Sequence, residues 1–333
     1  MKKAINTILG YVKASCFPLA VFLVFVFLTH GTFLNQRIII STLRQSVVVI
    51  LICWGLTEIM SVGMMSFAAG AIVLASSVIG GNLALATNTG VVGMCVFCIL
   101  VSITLSAING LVYNVLRVPS IVLSLGIMLV YEALPRVLYS GGVVVPTKIT
   151  FLAQSPYCFV ILAIMYVIFY YVYNLTPLGH NMRALGANQS VSISAGLNID
   201  RIKFMAYLMM GVFLGVASVI YLSTQGEVLN ATALGSMAVM MDAFMCVFLS
   251  NFLVRFCNKT YAVVAAVLTM RVINTGFVSL GMSSEVKNIT TGLMMLALLV
   301  FSANEGLFEK RKADKAFAEK MNLAYSAGAS STK

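Results

Sequence analysis

Charge is scarce in this sequence. Ten acidic and 21 basic residues make up 9% of 333 positions, where an ordinary soluble domain carries about 25%. Histidine is scarcer still. His30 and His180 are the whole supply, and neither belongs to an HExxH or GxSxG arrangement, which sets intramembrane hydrolase chemistry aside. No G-x-x-x-x-G-K-[ST] phosphate loop is present, so the chain cannot hydrolyse ATP by that chemistry. No basic stripe carries interleaved aromatics. The net charge of +11 comes from Lys and Arg at the ends of apolar runs, and nucleic-acid binding is set aside on that ground. Seven cysteines include one CxxC, Cys95 and Cys98, but it lies within an apolar run and has no second pair. It reads as small buried hydrophobes in preference to a metal or redox site.

What the sequence has instead is apolar length: 60% hydrophobic residues and a mean hydropathy of +1.00. Apolar runs fall at 14–31, 46–62, 64–80, 91–113, 120–139, 157–175, 203–223, 237–254, 260–277 and 286–303. These predict an all-α polytopic membrane protein of about ten transmembrane helices. The N-terminus resembles a signal peptide, but its apolar core is long and no small-residue cleavage site follows, so it reads as a retained first span. The second and third runs are short and meet at "SVGMMSFAAG", residues 61–70. A glycine-containing break at membrane depth must be covered by protein or line a cavity, which places this broken second/third span near a pathway.

Basic residues set the expected orientation. With the N-terminus inside, fifteen Lys and Arg fall on the inner side and five on the outer: Arg37, Arg44, Arg136, Lys148 and Lys287. That bias follows the positive-inside rule. The expected organisation is a cytoplasmic N-terminus over 1–13, a transmembrane region over 14–303 and a cytoplasmic tail over 304–333.

Ionisable groups within spans are candidates for function, because charge in hydrocarbon is costly. Glu58, Asn109, Asp242 and Asn274 are candidates for a translocation pathway. Bland readings stand beside them: Asp242 and Arg271 as a cross-bundle ion pair, and Asn109 and Asn274 as polar glue between helices. Glu132 and Arg136, four apart on one helix face, suggest a structural ion pair.

The polar stretch "MRALGANQSVSISAGLNIDRIK", 182–203, interrupts this pattern. Asn188 is suited to a helix N-cap and Gly196 to a C′ position. The residues between them would make about two turns, too short to stand alone. Either the segment docks on a partner, its small side chains permitting close approach with Arg183 and Arg201 as charge anchors, or it is a solvated loop.

The same stretch resembles the central cytoplasmic loop of ribose-type ABC transporter permeases, the importer branch that includes sugar and autoinducer-2 permeases. Gly179, Ala184, Leu185, Gly186, Asn188, Ala195, Gly196 and Asn198 match its "G-x-x-x-x-A-L-G-x-N…A…S-G-I" pattern. Similar stretches follow the family's order: "SVG" at 61–63, "INGLVYNVLRVPSIVLSLGIM" at 108–128, "MDAFMCVFL" at 241–249 and "INTGFVSLGMSS" at 273–284. The resemblance covers about 50–310. It implies a membrane subunit importing a small polar solute, with a pentose or related monosaccharide as the commonest cargo and nucleoside or autoinducer-2 as alternatives. It implies a bacterial inner membrane and a separate ATPase subunit that holds ATP and magnesium. It also implies a second permease subunit and an extracytoplasmic solute-binding protein that docks near 31–45 and 140–156. Within the coupling loop 176–202, it implies that Arg183, Ala184, Leu185, Gly186, Asn188, Ser192 and Gly196 couple to the ATPase. Two departures mark a divergent member. The family's glycine-rich loop after the eighth span is replaced by the glycine-free "SNFLVRFCNKT" at 250–260, and Ile59, beside Glu58, stands where the family has Asp. The rival reading, an ion-coupled secondary transporter, needs charged relays and usually an internal repeat, and no clear repeat is visible.

Overall fold

The computed structural model describes residues 2–29, 32–146, 149–231 and 234–283, with isolated positions beyond. The expected tenth span at 286–303, the tail from 304, and His30, Lys148 and Lys287 therefore lie outside the described residues or among those isolated positions. Residues 1–282 form one compact unit.

The long helices are α1 (Lys2–Leu28), α2 (Gln36–Ser61), α3 (Ala69–Ala86), α4 (Gly90–Leu116), α5 (Ser120–Leu138) and α6 (Tyr157–Tyr170). A π-helical turn, Tyr171–Leu175, extends α6. Two short helices follow, α7 (Pro177–Ala187) and α8 (Gln189–Ser194). The chain then returns through α9 (Ile199–Gln225), α10 (Ser236–Leu253) and α11 (Lys259–Ser279). Among the described residues, nine helices are long and apolar enough to cross a membrane. The protein is an all-α, multi-pass membrane protein. Successive crossings put α7 and α8 at one end of the bundle. At the other end two short strands, β1 (Val143–Val144) and β2 (Glu227–Val228), pair antiparallel.

The second span is longer than its apolar run. Asn35 caps α2, its side chain accepting from Arg37 N, and the helix begins ten residues before the apolar stretch. Backbone hydrogen bonds carry a helix through Gln36, Arg37 and Gln45, because they need no apolar side chain. This corrects the reading of 31–45 as a docking loop: Arg37 and Arg44 stand on α2 itself. The break between α2 and α3 falls at 62–68, with Gly63 at φ +81°. Part of it is covered by protein, although Gly63 is exposed. Ser66 is buried, and Met65 N donates to Ser120 Oγ at 3.3 Å.

α2, α3 and α9 form the centre. α9 packs against α2, α3 and α4. Gly211 and Gly215 set the α4–α9 approach, since a Cβ there would lie 2.9 Å from Ile103 Cα and 2.8 Å from Ile99 Cα. Small residues four apart bring membrane helices close where apolar burial alone cannot. Trp54 on α2 stacks on Phe169 with centroids 5.5 Å apart, and its Nε1 donates to Thr260 O at 3.3 Å, joining α2, α6 and α11.

Candidate functional site

The α7–α8 arm is built from local signals. Thr176 caps α7, its Oγ1 accepting from Gly179 N at 3.3 Å, with Pro177 in the first turn. Asn188 ends α7 and starts α8. Its extended backbone breaks the helix, and its Oδ1 accepts from Val191 N at 3.2 Å and from Ser190 Oγ at 2.7 Å. Gly196, at φ +78°, closes α8, where a side chain would be strained. Asn198 then caps α9 by accepting from Arg201 N at 3.1 Å. The island is thus a capped helix, as its spacing predicts.

Tertiary contacts hold the arm against the bundle. Leu185 and Ser192 are buried, the Ser192 hydroxyl donating to Asn188 O at 2.9 Å. Ala184 is exposed and Arg183 half-buried. Arg183 Nε donates to Gly179 O at 3.2 Å, and the guanidinium lies 5.2 Å from the centre of the Tyr173 ring. Tyr173 Oη pairs with Ser61 Oγ at 3.0 Å. Gly186 lies on the last turn of α2. A Cβ there would clash with the Ser61 carbonyl oxygen and lie 3.4 Å from Gly63 N. The arm therefore bears directly on the α2–α3 break. On its outer side α8 presents Val191, 61% exposed, and Ile193, 57% exposed.

The four pathway candidates sit on four different helices. Glu58 on α2 is fully buried, and neither carboxylate oxygen has a hydrogen-bond partner. Asn109 on α4 donates to Ser66 Oγ at 3.5 Å while its Oδ1 is unpartnered, so it touches the break. Asn274 on α11 is buried with an unpartnered Oδ1. Asp242 on α10 pairs with Arg271 on α11 at 3.8 Å, joining two neighbouring helices as the structural reading expects. That pair is partly shielded, with side chains 34% and 19% exposed. A double-mutant cycle with Asp242→Asn and Arg271→Gln is expected to give a coupling of about 1 kcal/mol. Thermal unfolding in detergent measures it, and purely additive losses would show the contact to be idle.

The pairing of Glu132 with Arg136 is corrected. Glu132 accepts from Leu234 N at 3.1 Å and Ser236 N at 2.8 Å, and also from Ser236 Oγ. Its carboxylate thereby caps α10, where negative charge also suits the helix dipole. Arg136 Nη2 instead donates to Ala231 O at 2.7 Å. Partners across the bundle satisfy both groups better than four-residue spacing on one helix can.

A bundle of apolar helices with a capped polar arm at one end is a multi-pass membrane protein. Its family can be stated. Residues 38–299 match the family described as branched-chain amino acid transport system / permease component, and the chain belongs to it. It is an ABC importer permease of the sugar/autoinducer-2 branch. It is 26% identical over 265 residues to the autoinducer 2 import system permease protein LsrC of Yersinia pseudotuberculosis, covering 76% of this chain and 74% of the relative. The LsrC of Yersinia enterocolitica is 25% identical over 280 residues, 81% of this chain and 76% of the relative. That of Photorhabdus laumondii is 24% identical over 261 residues, 76% and 78%. No solved structure matches the chain.

Proposed function

We propose that this permease carries a small polar solute of the autoinducer-2 class, in place of the pentose that the family resemblance first suggests. The observation that carries this reading is the set of LsrC relatives, which match three quarters or more of the chain. The reading includes a separate ATPase holding ATP and magnesium, a second permease subunit and an extracytoplasmic solute-binding protein. The excess of basic residues at the α8 end supports placing that end, and the N-terminus, in the cytoplasm. The α8 helix would seat in the ATPase, and motion of the ATPase would pass through Gly186 to the α2–α3 break and rock the bundle between outward and inward access.

Vesicles containing the permease, its ATPase and its binding protein test the solute. ATP-dependent uptake of labelled autoinducer-2 is expected, with excess ribose competing weakly. Preferential uptake of ribose would return the pentose reading. The seat on the ATPase has its own test. Replacing Val191 and Ile193 together by Ser removes two exposed apolar contacts, together worth about 2–4 kcal/mol. ATP hydrolysis stimulated by loaded binding protein should fall by roughly tenfold or more, with the permease's own unfolding temperature unchanged. Full stimulation would place the ATPase contact elsewhere.

A further inference from the structure

A cavity of about 480 Å³ lies between the end of α2, the end of α6, the α7 helix and the loop from α10 to α11. Two cations reach it, Arg183 from α7 and Lys259 from α11, together with the polar side chains of Asn174, Asn251, Asn258 and Ser61. No carboxylate lines it among the described residues. The direct partners of both cations are neutral. Lys259 Nζ donates to Ser250 Oγ at 3.0 Å and to Asn251 Oδ1. Arg183 spends one donor on the Gly179 carbonyl and rests on the Tyr173 ring. The same cavity receives the start of α11, whose N-cap residue Asn258 makes no side-chain cap bond.

Two like charges converging on one polar cavity repel each other, and the positive end of a 21-residue helix adds to that potential. An oxyanion converts this repulsion into charge-assisted hydrogen bonds. A guanidinium fork, an ammonium and the carboxamides of Asn251 and Asn258 offer more donors than the two oxygens of a carboxylate require, the Asn174 amide being spent on Tyr170 O and Thr260 Oγ1. They suit the several oxygens of a phosphate, and the volume leaves room for its substituent. We propose that this cavity binds a phosphate-bearing small molecule entering from the α8 side of the membrane. Once bound, the anion ties α7 to α11 and so restrains the arm that carries α8. The site stands on the cavity alone, whether or not α8 meets an ATPase. A phospholipid headgroup shares the same chemistry and is distinguished below.

The chain's single tryptophan, Trp54, reports on the site because its Nε1 is bonded to Thr260 O, next to Lys259. The full-length protein in neutral detergent is titrated with inorganic phosphate and with glycerol phosphate, ionic strength being held constant with chloride. A saturable change in Trp54 emission is expected. Lys259→Gln and Arg183→Gln should each raise the half-saturating concentration by roughly tenfold, the loss of one charge-assisted contact. Arg117→Gln, which removes an exposed cation at the same end paired with Asp200, should leave it unchanged. Arg183 stands on the peripheral arm, so that variant reads the site even if Lys259→Gln fails to fold. A linear response, or one shared by every variant, overturns the proposal. Saturation by short-chain phosphatidylglycerol with none by either soluble phosphate overturns it in favour of a lipid site.

Discussion

Gly186→Ala is expected to lower ATP-driven uptake by roughly tenfold or more, although it adds one methyl group. The methyl has nowhere to go. It would clash with the Ser61 carbonyl oxygen at the end of α2, and backbone cannot swing aside as a side chain can. Overpacking of this kind costs about 1–3 kcal/mol. The strain falls at the joint between a peripheral arm and the bundle, so displacement of the arm relieves it more cheaply than unfolding. Uptake and stimulated ATP hydrolysis should fall together in vesicles, while solute capture by the binding protein is unchanged and the permease inserts in normal amount. Normal uptake by Gly186→Ala would remove the arm-to-break contact from the coupling account.

Glu132→Ala should be the most damaging of the substitutions to stability. It strips the acceptor from Leu234 N, Ser236 N and Ser236 Oγ at once. Unsatisfied buried donors cost about 1–3 kcal/mol each, and partial relaxation brings the expected total to about 2–4 kcal/mol. Glu132→Gln keeps one carbonyl oxygen for Ser236 and should recover about half of that loss. Thermal unfolding of the full-length chain in detergent measures both. Arg136→Gln discriminates between the two readings of this residue. Were Glu132 and Arg136 partners, it would be as harmful as Glu132→Ala. With Arg136 bonded to the Ala231 carbonyl, it should cost about 1 kcal/mol.

Much of the α8 arm was readable because caps are local. Asn188 reaches only three residues ahead to Val191 N, and Gly196 needs only its own backbone freedom. The spans were readable for a related reason: apolar length is a property of a segment, not of its neighbours. Arg271 and Asp242 could be matched because charged residues are rare enough within these spans that few partners compete. Other features resisted. The start of α2 at Gln36 was hidden because apolar content marks the membrane, whereas backbone hydrogen bonding sets the helix. The Glu132–Arg136 spacing suggested a pair, and the donors of Leu234 and Ser236 at the start of α10 captured Glu132 instead. The polar cavity had no sequence signal at all, because Arg183 and Lys259 are 76 positions apart and nothing in either stretch announces the other.

The sequence by itself determined that this chain is a helical membrane protein, where the apolar parts of its described crossings lie, which residues cap α8, and which permease family it joins. Those properties depend on hydropathy, caps and motifs that act within a few turns of chain. Only the tertiary structure decided which surface Gly186 bears on, which donors Glu132 serves and where two cations share a polar cavity. Each of these depends on atoms brought together from distant helices, and packing geometry is a property of the whole bundle.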